Sequence, residues 1–264
     1  MGPGTWFAAL LCLSLAAVLI FLGLPVAAIF LDTSPTELIA SLGQPEARDA
    51  LMLSLRTTAA SLALIVLVGT PAAYLLATRS FRGKAVVVTL VELPLVLPPA
   101  VAGIALLASV GPTGLLGSLT GDSLALQTAG VVVALTFVAS PFYIRQAIAA
   151  FASVDRTLLD ASRTLGASEA RGFVRVMIPV ALPGLAAGTA LALGRALGEF
   201  GATLMFAGSF RGVTQTVPLA IYDRFSTDFE SALALSAVLV AVSAAILLSV
   251  KLVRGGEALG LASR

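Results

Sequence analysis

Residues 160–179 read DASRTLGASEARGFVRVMIP. Asp160, Arg163, Glu169, Arg171 and Arg175 crowd into this stretch, yet only 11% of the whole chain is charged. Long apolar runs flank it on both sides. A soluble domain of this size is roughly one quarter charged. With 58% hydrophobic residues, the chain has too few polar side chains to cover a water-facing surface. The apolar runs are long and unbroken by the short alternation of barrel strands. The expectation is an all-α polytopic membrane protein in which the quoted stretch is a polar connection.

Working outward from that connection, the sequence predicts six spans, at about 6–31, 57–78, 85–110, 124–144, 176–207 and 232–253. Each approaches or exceeds the ~20 residues an apolar helix needs to cross a bilayer. Together they make one transmembrane domain over 1–264. The first run is too long, and too lightly charged at its start, for a cleavable signal peptide. Pro94, Pro98 and Pro99 must kink or break the third, because proline lacks a donor and clashes with the preceding turn.

Lys and Arg set the orientation. With the N-terminus inside, the inner segments hold eleven of the sixteen basic residues: Arg79, Arg82, Lys84, Arg145, Arg156, Arg163, Arg171, Arg175, Lys251, Arg254 and Arg264. The outer segments hold Arg48, Arg56, Arg211 and Arg224, and Arg195 lies within a span. Both termini are therefore expected in the cytoplasm, and the connection at about 145–175 faces it too. Leu158, Leu159, Ala161, Ser162 and Leu165 put small or apolar groups on one side of a helix. Gly166 permits a sharp turn. A second amphipathic piece, 168–176, leads into Ile178-Pro179. The residues alone leave two readings open, a helix pair resting on headgroups or a short helix docked into a protein groove.

Other features exclude function classes. The chain has no His, and Cys12 is its one Cys, so no internal disulfide or Cys/His metal cluster can form. A net charge of +2 does not suggest nucleic acid as a partner. No G-x-x-x-x-G-K-[ST] occurs, so no phosphate-cradling loop of that kind is present. The span acids are Glu92 and Glu199, few for a secondary ion-coupled transporter. An integral-membrane enzyme is disfavoured by the lack of His and of clustered span carboxylates.

Within the fifth predicted span, Arg195 and Glu199 are four residues apart, on one helix face and close enough to pair. Charges at that depth are paired or face a cavity. They either line a pathway or form a structural ion pair. Gly194, Gly198 and Gly201 permit close helix approach or, on a second reading, face a pore. Glu92 is an interfacial anchor, a partner for a basic residue or a gate element.

The quoted stretch resembles the coupling loop of bacterial ABC importer permeases. Their pattern is Glu-Ala-Ala, three residues, Gly, nine residues, Ile, one residue, Leu-Pro. Here it reads Asp160-Ala161-Ser162, Gly166, Val176, Ile178 and Pro179. ELPLVLPPAVAGIALL (92–107), RALGEFGATLMFAG (195–208) and TQTVPLAIY (214–222) resemble the molybdate and tungstate permeases, with sulfate/thiosulfate permeases as near relatives. The resemblance covers roughly residue 53 to the C-terminus.

It implies a type I importer permease fold in a prokaryotic inner membrane, with a second copy of the chain across a twofold axis. It implies two copies of an ATPase subunit that carry ATP and Mg, an external oxyanion-binding protein, and no cofactor or catalysis in this chain. Asp160, Ala161, Ser162 and Gly166 would make the ATPase contact, in a coupling loop that closes at Ile178 and Pro179. Arg195, Gly198, Glu199, Pro98 and Pro99 are pathway candidates. Thr216, Pro218 and Tyr222 are candidates for docking the binding protein.

Overall fold

The apolar runs close into helices because each helix satisfies its own backbone donors and acceptors, which a bilayer cannot do for it. The computed structural model describes residues 5–34, 36, 40, 43–120 and 123–253. Its principal helices are α1 (Thr5–Asp32), α2 (Pro45–Thr78), α3 (Lys84–Val96), α4 (Pro99–Val110) and the short α5 (Gly117–Thr120). They continue as α6 (Thr128–Ala152), α7 (Arg156–Thr164), α8 (Glu169–Leu197), α9 (Gly201–Ala207), α10 (Val217–Phe225) and α11 (Phe229–Val253). Among the described residues five helices are long and apolar enough to cross a membrane, or six if the bent pair α3–α4 counts as one span.

The core is built around α6, which packs on α2 and α8 and also touches α3, α4 and α9. Ala73, Val131, Ala139, Tyr143, Ala147, Phe151, Leu185 and Ala192 fill it, and small residues let the helices close. A Cβ at Gly69 would stand 3.1 Å from the Tyr143 ring, and one at Gly184 would collide with Ala150. Thr70 and Tyr143 share a hydroxyl–hydroxyl hydrogen bond of 2.5 Å across α2 and α6. By contrast α1 touches α11 and keeps its apolar side chains exposed.

The helix extents depart from the expected spans in four places. α2 begins at Pro45 rather than near 57, so Arg48 and Arg56 ride on a helix rather than in an outer loop. Pro45 at its first position and Glu46 in its first turn suit a helix N-terminus. The expected 85–110 span is two helices bent by 119°. Pro98 forces Leu97 into an extended conformation (φ −71°, ψ 130°), whereas Pro94 is accommodated inside α3. α6 continues to Ala152, so the connection expected at 145–175 shortens to 153–168 with α7 inside it. The expected 176–207 element begins at Glu169 and breaks at 198–200.

The two breaks meet. α4 packs on α9, and a Cβ on Gly201 would lie 2.6 Å from Pro99 Cβ. One on Gly103 would lie 2.8 Å from the Ala202 carbonyl oxygen. The ends of the chain, with Arg254 and Arg264, lie outside the described residues.

Replacing Gly184 with Val should force α8 away from α6 and destabilise the fold by roughly 1–3 kcal/mol. Gly43, with nothing within 4 Å of a built Cβ, should accept Ala with little effect. The thermal midpoints of the two purified variants in detergent check this, and equal midpoints would contradict the packing described.

Candidate functional site

Three polar assemblies stand out from this apolar frame. The first is the α7 connection. Asp155 caps α7, its carboxylate accepting from the Thr157 backbone N–H at 2.9 Å. That bond holds its carboxyl below the ordinary value. Acid, rather than alkali, therefore loosens the cap: its contribution is complete above the ordinary carboxylate range and is lost as pH falls through the lowered value.

Leu159 and Ser162 turn inward over Gly172, where a Cβ would lie 3.0 Å from Leu159 Cδ1. Asp160 and Ala161 are exposed, and Leu165 is 89% exposed. The single apolar side expected of this helix is therefore split, one part packed inward and one part presented outward. Gly166 sits between α7 and α8 at φ +80°, a region closed to most side chains.

Two cations fix the start of α8. Arg79, just past α2, donates to both Glu169 carboxylate oxygens at 2.8 and 3.0 Å. Arg163 bridges Asp160 at 3.1 Å and approaches Glu169 at 3.6 Å. Ser168 caps α8 by accepting from the Arg171 N–H. A π-helical turn, Phe173–Met177, then precedes Ile178 and Pro179. The wider turn accommodates a proline that has no N–H for the ordinary ladder. Ile178 is half-buried and Pro179 exposed.

The second assembly is the break between α8 and α9. Arg195 lies in the last turn of α8, and Glu199 lies beyond it rather than inside a continuous helix as expected. They still pair, at 2.5 Å, with Glu199 1% exposed and Arg195 25% exposed. The other Glu199 oxygen accepts from the Ala202 N–H at 2.6 Å and so caps α9. One carboxylate thus neutralises a cation and satisfies a helix end. Gly198 completes the turn, and Pro98 and Pro99 stand at the facing break. Glu92 approaches Arg145 of α6 at 3.6 Å, both side chains exposed, which gives it the basic partner expected among its three candidate roles.

The third assembly is the 208–228 segment, which includes α10. Thr216 is 3% exposed, at the N-cap position of α10, and the next N–H, of Val217, donates to Ser54 at 2.8 Å. Thr216 therefore offers no docking surface, which corrects that expectation. Pro218 is half-buried, and Tyr222 is exposed beside Phe200 with ring centroids 5.0 Å apart. Sequence reasoning missed Glu46, which binds Arg211 at 2.6 Å and Arg224 at 2.5 Å. Its place in the first turn after Pro45 was the available signal.

The model of the family described as "Binding-protein-dependent transport system inner membrane component" matches residues 66–255. The chain belongs to this family. The permease is 42% identical, over 95% of its length and 96% of the relative's, to the molybdenum transport system permease protein ModB of Mycobacterium tuberculosis. It is 41% identical to a probable molybdenum ABC transporter permease of Haloferax volcanii, over 94% and 90% of the two chains. Its fold is similar to a chain of a bacterial ABC transporter that imports alginate, with a TM-score of 0.72 at 18% identity, covering 94% of each chain. It is also similar to a chain of the MetNI methionine ABC transporter, at a TM-score of 0.59 and 19% identity over 79% and 92% of the chains.

Glu199→Ala should destabilise the permease by about 3–5 kcal/mol, since it strands a partly buried guanidinium and uncaps α9. Glu199→Gln keeps an acceptor for Ala202 and should lose less. Thermal unfolding of the two variants in detergent checks the order, and a Gln variant as unstable as Ala would contradict the capping role.

Proposed function

We propose that this permease is the membrane subunit of an ATP-driven importer for molybdate and tungstate. The observation that carries the cargo is the relationship to molybdenum permeases across nearly the whole chain. The observation that supports the mechanism is the exposed, glycine-hinged α7 mounted on the long helix α8.

ATP and Mg bind a separate ATPase subunit, two copies per assembly, while this chain contributes no covalent chemistry. A second copy of the permease completes the pathway in the prokaryotic inner membrane, and an external binding protein delivers the oxyanion near Tyr222 and Pro218. Both termini face the cytoplasm, as the distribution of basic residues favours.

Asp160, Ala161 and Gly166 seat in the ATPase, with Leu165 as the apolar plug, while Ser162 packs α7 down against Gly172. Closure of the ATPase pair pushes on α7. The Arg79–Glu169–Arg163 bridges pass the push to α8, and Ile178 and Pro179 continue it past the π turn. α8 carries it to the break that holds Arg195, Gly198 and Glu199, against Pro98 and Pro99. A ligand or partner shifts such an equilibrium only by as much as it distinguishes the two states, and a rigid seated helix supplies that difference. Arg195 keeps donors free of Glu199 for a passing oxyanion. The paired carboxylate keeps that contact weak enough for release.

Gly166→Val should strain the hinge and abolish copurification with the ATPase, while the permease itself remains folded. Retained copurification would refute the docking assignment. In a reconstituted complex, Arg195→Gln should lower molybdate uptake at least about tenfold relative to ATP turnover, the loss expected when about 1.4 kcal/mol of charge-assisted hydrogen bonding disappears. Unchanged uptake and turnover would remove Arg195 from the pathway. Competition among molybdate, tungstate and sulfate for uptake by the same complex tests the cargo, and sulfate outcompeting molybdate would overturn it.

A further inference from the structure

Two cavities lie along α2, one against α6 and α8 and the other against α6 and α7, with the packed rings of Tyr74, Phe151 and Phe173 between them. The first has a volume of about 570 Å³ and is almost wholly apolar. Leu67 and Leu182 form its lips, and Thr70 and Tyr143 its floor, already bonded to each other. Leu67 is 73% exposed, so the cavity opens sideways. One turn further along α2, beyond the contact of Tyr74 with Phe173 (ring centroids 4.6 Å apart), lies a second cavity of about 330 Å³. It is polar. Arg79, Arg156, Arg163 and Asp160 line it. Asp160 and Glu169 engage Arg79 and Arg163, but Arg156 has no acidic partner among the described residues. The cavity is left with one uncompensated cation. Arg171 and Arg175, also without acidic partners among the described residues, extend the positive charge along the same end of α8.

An apolar slot open to the side, followed along α2 by an arginine-lined polar chamber across a ridge of half-buried Tyr74 and Phe173, has the chemistry of one ligand whose tail and head differ. We infer that an anionic phospholipid of the inner leaflet occupies it. One acyl chain runs along Leu67 and Leu182, and the phosphate sits by Arg156 with Arg79 and Arg163 beside it. Basic pockets between helices at the cytoplasmic surface attract such headgroups, and each added cation there contributes about 1 kcal/mol. A free phosphate would have no use for the apolar half. The inference rests on the orientation proposed above. It adds that the lipid touches the underside of α7, so that bilayer charge sets how firmly the lever is seated.

The test is native mass spectrometry of the permease in detergent, titrated with equal amounts of phosphatidylglycerol and phosphatidylcholine of the same chains. The readout needs no ATPase and no transport, so a failure of the importer reading would not disturb it. Wild type should retain phosphatidylglycerol preferentially. Arg156→Gln should cut that preference about fivefold, the ratio equivalent to about 1 kcal/mol, and Arg156→Lys should restore most of it. Leu67→Trp, at an exposed lip, should reduce retention of both lipids. Equal retention by wild type, a preference unmoved in Arg156→Gln, or displacement of the lipid by millimolar inorganic phosphate would overturn the proposal. A photoreactive side chain at position 67 should capture lipid. Capture of a second copy of the chain instead would show the slot to be a protein interface and likewise overturn it.

Discussion

In hydrocarbon, a peptide N–H or C=O without a partner costs several kcal/mol. Where a membrane chain interrupts its helices, something must take over the freed groups. In this permease the interruptions at 97–98 and 198–200 are pressed together, and the second is held by Glu199. That carboxylate binds the Arg195 guanidinium and caps α9. Gly201 and Gly103 bring α4 and α9 into backbone contact, so the pair of breaks forms one compact joint rather than two loose loops. Close-packed interfaces of this kind shift between discrete arrangements rather than deforming continuously.

The other end of the same helix is as closely fixed. Glu169, in the first turn of α8, is clasped by Arg79 and approached by Arg163. Between Glu169 and Leu197 α8 runs 29 residues, widened by the π turn at Phe173–Met177, about 43 Å at 1.5 Å per residue. One rod thus joins the exposed α7 to the joint of broken helices. The slot proposed for lipid lies along this rod, which would give the bilayer a means of altering its seating. The Glu46 bridges to Arg211 and Arg224 hold the opposite face, where α2, the 208–216 loop and α10 converge.

Much of this architecture is legible in the amino-acid sequence. Hydropathy identifies the helical class, and the pattern at Asp160–Pro179 marks the connection that holds the exposed α7, with Gly166 at its turn. The Arg195–Glu199 pair is also readable, because i and i+4 spacing places two residues together even when the helix ends between them. What escapes has physical causes. Hydropathy reports where a helix is apolar, not where it begins and ends, so it misses the polar first turns of α2 and the last turns of α6. Pro94 and Pro98 look alike in sequence, but α3 tolerates the first and breaks before the second. The burial of Thr216 and the Glu46 network depend on contacts more than 160 residues apart, which no local pattern encodes.

The central claim is that α8 transmits the state of the lever to the joint. The direct measurement is the thiol-labelling rate of Phe200→Cys, in a Cys12→Ser background, in the assembled transporter with and without ATP trapped on its ATPase. The account predicts a rate that changes with nucleotide, and a change that vanishes when α8 is softened by Ala187→Gly and Ala190→Gly while the ATPase still binds. A nucleotide response that survives the softened helix, or its absence in a transporter that still imports, would contradict the account.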